Sequence, residues 1–445
     1  MINKQELELL ANALDILDAG AADLPDFSPQ IDKRALAPVL AEVAQRMQDN
    51  YPYFHPQYAG QMLKPPHPVA RIAYALSLWV NPNNHALDGS RASSPMEKEC
   101  IVDLGRIFGW DAPLGHLTSG GTMANLEALW VAGRLHPGKK IVASAMTHYT
   151  HSRISDVLRL PFAEIDVDER GRMDPASCEK LLANGDVGTV VVTMGTTGLG
   201  VVDPLPAILE LRKKYDFRIH ADAAYGGYFG LTSEINADTK AALQAMSQVD
   251  SIVIDPHKHG LQPYGCGCVL FRDHAVGTLY KHDSPYTYFS SGDLHLGEIT
   301  LECSRPGAAA VALWATHQLL PPVPGGAFAD GLDASLRAAR TMWHNLDASS
   351  AYTPLCAPEL DIVVYAVNAA SASESSRRAR DVFDAAAKQE LHLALIELPV
   401  EFVRHYVPAL EADADVVTCL RSVLMKPEHE DWVEWITATL EAIAA

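Results

Sequence analysis

SIVIDPHKHGLQPYGCGCVLF, residues 251–271, sets a lysine between two histidines directly after an apolar run. Ile252, Val253 and Ile254 read as a core strand, and 267–271 reads as a second one. Lysine is costly to bury, so Lys258 at the mouth of two core strands has two readings. It is a solvated residue at a strand end, or it is a nucleophilic amine held by a rigid scaffold.

Working outward, apolar runs alternate with helical patterns from about residue 117 to 271. The strand candidates are 140–144, 189–193, 218–221, 251–254 and 267–271. The intervening helix candidates are 123–134, 175–182, 206–215 and 239–246. Such alternation predicts crossover connections and a mostly parallel sheet covered by helices on both faces, an α/β fold. In that architecture ligands gather beyond the carboxyl ends of the strands. After the break PVPGG (322–326) comes a helical stretch, 330–346. Strand-like runs at 360–367, 391–396 and 416–424 and a closing helix at 432–443 then predict a smaller α+β unit. The small-residue run 369–376 reads as a loop. The expected division is an N-terminal helical segment (1–65), a large domain (66–325) and a small C-terminal domain (326–445).

The chain has 445 residues, enough for more than one packed unit, with 48% hydrophobic and 20% charged residues, a globular balance. Lys+Arg number 35 against 55 Asp+Glu, a formal net charge of -20, which disfavours nucleic acid and anionic membranes as partners. The start, MINKQELELLANALDILD, is acidic and lacks a signal-peptide core; Leu7, Leu10, Leu14 and Leu17 recur at helical spacing and predict an amphipathic helix seeking a partner surface. Seven scattered cysteines suit a reducing cytoplasm, and Cys266 and Cys268 are read as core thiols rather than a redox or metal pair.

Four further stretches fall at the ends or starts of the expected strands. LTSGGTMAN (117–125) leads small residues into a helix, leaving N–H groups free to hold an anion on Gly120, Gly121 and Thr122; it is equally a plain capped helix start. MTHYTH (146–151) offers His148 as a flat platform, or His148 and His151 as metal ligands without the acidic partner of a hydrolytic zinc site. TMGTTGLG (193–200) is a strand entering a Gly/Thr loop. In IHADAAYGGYF (219–229), Asp222 ends a strand among alanines, so its carboxylate must meet a cation from elsewhere. An anion cradle, a platform, a carboxylate and a nucleophilic amine together match the needs of pyridoxal phosphate.

HADAAYGGYF and DPHKHGLQPYGCGCVLF resemble the most distinctive motifs of the group II pyridoxal-phosphate decarboxylases, a fold-type I family acting on glutamate, aspartate, cysteine sulfinate, tyrosine and other aromatic amino acids. YPYFHPQYAGQML, SGGTMANLEAL, GTTGLG, SRPGAAA and LRSVLM extend the likeness from about residue 52 to 425. The resemblance implies that Lys258 tethers the cofactor aldehyde and that Asp222 pairs with its ring nitrogen. Ala224 would pack beneath the ring and His148 over it, with Thr196 close by, while Gly120, Gly121, Thr122 and His257 would hold the phosphate. Ser304 would complete the phosphate site across a homodimer. Arg421 would hold the substrate α-carboxylate, with Gln61 near the side-chain pocket. Tyr286, or Tyr288 beside it, would be the proton donor, on a loop reaching the partner's site. No metal is implied.

The expected activity is decarboxylation of an L-amino acid to its amine and CO2, leaning to an acidic substrate, with Lys64, Arg91 and Lys98 as nearby cations. The alternatives are an aromatic substrate, aldehyde-forming or transaminating chemistry on the same frame, a non-enzymatic binding protein, and a zinc hydrolase using His148, His151, His257 and His259.

Overall fold

In the computed structural model, which describes residues 3–25, 27, 30–281 and 295–444, the two apolar runs flanking Lys258 are neighbouring strands of one sheet. That sheet contains β1 (Leu114–Thr118), β2 (Lys140–Ser144), β3 (Phe162–Ile165), β4 (Val187–Thr193), β5 (Arg218–Asp222), β6 (Ser251–Ile254) and β7 (Gly267–Phe271), in the order β1-β7-β6-β5-β4-β2-β3. β6, β5, β4, β2 and β3 run parallel, whereas β7 is antiparallel to both β6 and β1. Ser251 pairs with Phe271 and Ile254 with Cys268, so residues 255–266 form a loop closed at both ends by the sheet.

The N-terminal region supplies α1 (Gln5–Ala19), α2 (Lys33–Met47), α3 (Pro68–Ser77) and α4 (Ser93–Ile107). The crossovers carry α5 (Gly121–Leu135), α6 (Thr150–Val157), α7 (Pro175–Leu182), α8 (Leu205–Leu211) and α9 (Ala237–Ala245). After α10 (Ala308–Leu319) and α11 (Ala327–Asp347) comes a second sheet of β8 (Tyr352–Pro354), β9 (Ile362–Val367), β10 (Ala394–Pro399) and β11 (Val416–Val423), ordered β10-β11-β9-β8 and antiparallel throughout. Its helices are α12 (Ala372–Ala387), α13 (Val400–Tyr406) and α14 (His429–Ala444). One apolar core runs from the large sheet (Val190, Ile219, Ile252) into the small one (Ile362, Val364, Cys419), so the two sheets are packed, not merely linked.

The expected loop at 369–376 is instead largely the first turn of α12. Ser371 caps it by accepting from Glu374 N, and the small residues Ala372, Ser375 and Ser376 are its buried face. Two strands of the large sheet went unread, as did the three-residue β8 of the small one. β1 is fully buried, but LGHLT interrupts its apolar pattern with His116 and Thr118. His116 is satisfied internally, its ring nitrogens lying 3.0 Å from Glu127 Oε2 and 2.8 Å from the Leu117 carbonyl. β3 is a four-residue edge strand and only Ile165 is buried, so little periodicity marks it.

Candidate active site

The carboxyl ends of β4, β5 and β6 and the start of α5 converge on a cavity of about 330 Å3. Its lining includes Gly120, Gly121, Thr122, His148, Asp222, Ala224, His257 and Lys258. Eight positions read from separate stretches of sequence are therefore neighbours in space.

Asp222 ends β5 with 6% of its surface exposed. Its Oδ2 lies 2.8 Å from His151 Nε2 and accepts from Asn125 Nδ2 at 3.3 Å, and its Oδ1 accepts from Ala224 N at 3.2 Å. Burial alone would raise its pKa. The hydrogen bond and charge of His151, with Lys258 beyond, outweigh burial and hold the carboxyl below its ordinary range. The network continues through Asn125 Oδ1 to His220 Nε2, 2.8 Å, and from His220 Nδ1 to Ser251 Oγ, 2.8 Å. His220 is pushed down to about 3, chiefly by burial and then by His151, so it is neutral at ordinary pH.

Lys258 Nζ lies 2.9 Å from Asp255 Oδ2, a carboxylate 3% exposed. His257 Nδ1 donates to the Cys266 carbonyl at 2.7 Å, which fixes the ring and leaves Nε2 for the cavity, 3.6 Å from Asp255 Oδ2. Tyr264 tilts over the His257 ring at 4.7 Å and lines the cavity. His148, half-buried, stacks on Tyr149 at 4.5 Å, and its Nδ1 meets the Thr150 hydroxyl. Burial, with Lys258 and His151 nearby, lowers the His148 pKa despite the opposing pull of Asp222.

At the other end, the first turn of α5 presents N–H groups that have no partner within the helix. A Cβ on Gly121 would stand 2.6 Å from Asp255 Oδ2, so only glycine lets this turn close over the loop that carries Lys258.

Several expected residues lie elsewhere. Thr196 is fully buried, its hydroxyl accepting from Val201 N within its own turn; Thr197 lines the cavity in its place. Gln61 and Arg421 do meet, Arg421 Nη1 donating to Gln61 Oε1 at 3.2 Å, but neither lines this cavity. Arg421 is 4% exposed, and its Nε and Nη2 have no hydrogen-bond partner. Ser304 is exposed and accepts from Asn83 Nδ2. Lys64 lines a different cavity, with His259, and Arg91 and Lys98 line neither. His151 is turned to Asp222, away from the zinc arrangement weighed above. Tyr286 and Tyr288 lie outside the described residues. Cys266 and Cys268 are buried free thiols whose pKa burial raises.

Asn125 and Asp255 were not singled out in the sequence, and His151 was weighed only as a metal ligand. The signal was present for Asp255, which opens the same DPHK tetrapeptide. The partners of Asp222 are separated from it by 71 and 97 positions, and no local pattern joins them.

A family model described as the pyridoxal-dependent decarboxylase conserved domain matches residues 23–366. The chain belongs to the pyridoxal-dependent decarboxylase family. Pyridoxal phosphate is its cofactor, and amino acid decarboxylation is its class of chemistry. The chain is 32% identical over 259 residues to a protein of Methanothermobacter thermautotrophicus named a probable L-tyrosine/L-aspartate decarboxylase, covering 58% of this chain and 69% of that one. It is 28% identical over 418 residues to an L-tyrosine decarboxylase of Enterococcus faecium, covering 71% and 68%. Among solved structures, mouse CSAD superposes with a TM-score of 0.79 at 19% identity, covering 100% of this chain and 92% of that one. Oryza sativa TDC with PLP and tryptamine gives 0.79 at 16%, covering 100% and 99%. The fold is thus that of the fold-type I decarboxylases. Among the described residues no helix is long and apolar enough to cross a membrane.

The cavity suits this cofactor on its own geometry: an amine, an ionised carboxylate and a helix start lie around one space, in a volume fit for a small aromatic phosphate.

Proposed function

We propose that this family member decarboxylates an L-amino acid to the amine and CO2, with Lys258 as the covalent anchor of the cofactor. The observation that carries this reading is the ionised Asp222 and the amine of Lys258 facing one cavity. Bound there, pyridoxal phosphate supplies a sink for the electron pair left on Cα as CO2 departs. Asp222 keeps a proton on the ring nitrogen, since paired opposite charges in a buried site favour the charged forms. His148 and Ala224 hold the ring from its two sides. Gly120, Gly121, Thr122 and His257 take the phosphate at the start of α5. Asp255 holds the ammonium of Lys258 whenever that amine is free.

Arg421, outside the cavity lining beside Gln61, is the proposed holder of the α-carboxylate on the family resemblance; among the described residues two of its donors lie buried and unpartnered, a costly state that an incoming anion would relieve. The side chain of the substrate has two readings. An acidic side chain needs a strong cation of its own, yet among the described residues the cavity lining contains no lysine or arginine other than Lys258. Tyr264 at the lining, with Tyr51, Tyr53 and Tyr58 clustered near Gln61, favours an aromatic substrate, the alternative weighed beside the acidic lean. A homodimer is also proposed. Leu36, Val39, Leu40 and Val43 of α2 and Leu7 and Ile16 of α1 are exposed, and neither helix buries a residue. Ser304 and Tyr286 would then serve the neighbouring site.

Assaying tyrosine, aspartate, glutamate and cysteine sulfinate for CO2, amine, aldehyde and peroxide tests the reading. Stoichiometric CO2 and amine are expected, with tyrosine ahead; amine without CO2, or aldehyde with peroxide, would refute it.

A further inference from the structure

A second cavity, about 750 Å3, lies between the 64–71 segment, the start of α11 and the turn after β11. Phe54, Leu261, Phe328 and Leu332 form apolar walls, and the charged lining is mainly cationic: Lys64, Arg71 and Lys426 against Glu428. This is a local reversal in a chain of net charge -20.

The two lysines are the unusual element. Lys426 is 3% exposed; its Nζ donates to the Tyr58 carbonyl at 2.6 Å and lies 5.2 Å from the centre of the Tyr58 ring. Lys64 Nζ donates to the Met425 carbonyl at 3.3 Å. Among the described residues neither ammonium has a carboxylate within ion-pair distance, whereas Arg71 is already bound to Glu6 at 2.8 Å. Burial pushes Lys64 down to about 8 and Lys426 to about 7, outweighing the opposing pull of Asp361 and Glu428 on Lys64 and of Glu428 on Lys426. His259, 1% exposed, lines the same cavity, and its Nε2 lies 3.3 Å from the buried carboxylate of Asp361. A buried Lys426 and a partly buried Lys64, each bonded to a backbone carbonyl with no carboxylate in ion-pair contact among the described residues, leave charge at the cavity wall that an incoming anion would offset.

We propose that this cavity is a binding site for a small carboxylic acid with an apolar body. Its carboxylate sits by Lys64 and Lys426, and its body lies against Phe54, Leu261 and Phe328. A bare inorganic anion would neutralise the lysines but leave the apolar walls wet, so the organic acid is the better match.

Calorimetric titration of the full-length, cofactor-loaded protein with 3-phenylpropionate tests this, with inorganic phosphate and 3-phenylpropanamide in parallel. Saturable binding of the acid at one per chain is expected, at least tenfold tighter than either control. Lys64→Met keeps the aliphatic stem and removes the charge, and should weaken binding at least tenfold. Ala327, exposed and lining the cavity, allows an independent block: Ala327→Trp should abolish binding while leaving the visible spectrum of the bound cofactor unchanged. Absence of saturable binding would overturn the proposal. So would affinity that survives Ala327→Trp, which would put the acid above Lys258, or phosphate binding as tightly as the acid.

Discussion

His151 Nε2 stands 2.8 Å from Asp222 Oδ2, with the imidazole fully buried and the carboxylate nearly so. The cavity-lining carboxylate is thus steadied from behind by a group that, among the described residues, does not itself line the cavity. His151→Gln should keep the protein folded and cofactor-bound but lower kcat about tenfold to a hundredfold, in line with the roughly 1.5–3 kcal/mol a hydrogen bond to a charged group contributes. The visible absorption of the bound cofactor should shift as well, which a merely structural role would not produce. An unaltered spectrum and kcat would remove His151 from the mechanism.

Among the described residues Lys258 is the one lysine lining the cavity. Lys258→Ala should abolish the visible band that borohydride traps covalently in the wild type, and product should fall to background. Mass spectrometry of the borohydride-treated protein checks this directly: a cofactor adduct on another lysine would contradict the assignment.

Gly226, in the AYGGYF stretch, has no room for a side chain. An added Cβ would lie 1.9 Å from the Met194 carbonyl oxygen, a backbone atom that cannot swing aside. Gly226→Ala should destabilise the fold by about 1–3 kcal/mol, read as a lowered Tm, and should loosen the end of β5 where Asp222 sits. A Tm within a degree or so of the wild type would count against the packing described.

His220 makes stability depend on pH. Its folded pKa is about 3, whereas an unfolded histidine titrates near ~6.5. Between those values the unfolded chain binds a proton that the folded chain refuses, so stability falls as pH is lowered through this window. From pH 7 to pH 5 this group alone should cost about 2 kcal/mol. Urea unfolding at the two pH values, in wild type and His220→Gln, isolates the term: the variant should lose less stability on acidification.

Much of the large sheet was legible because its parallel strands are buried on both faces and read as unbroken apolar runs. The 140–144, 251–254 and 267–271 readings coincide with β2, β6 and β7. β1 was not legible, since His116 is paid for by Glu127, a helical residue eleven positions away. Small residues in 369–376 suggested a loop because sequence cannot tell an exposed serine from one buried on a helix face. The cavity residues next to strand ends, Asp222 and Lys258 above all, were readable from local motif. Thr196 was not distinguishable from Thr197, because which of two adjacent threonines turns inward is decided by the 195–201 turn. The orientation of Lys64 was likewise invisible, being set by contact with Met425 far along the chain.

The reversed strand β7 has a consequence for biosynthesis. β1 is an edge strand whose sheet partner is β7, so the segment leading into the start of α5 has nothing to zip onto until residues 267–271 arrive. The same insertion clamps the loop bearing Lys258. If the proposed site is right, a nascent chain emerging from the ribosome would gain both ends of the cleft only once β7 is made, and chains ending before residue 267 should fail to capture the vitamer.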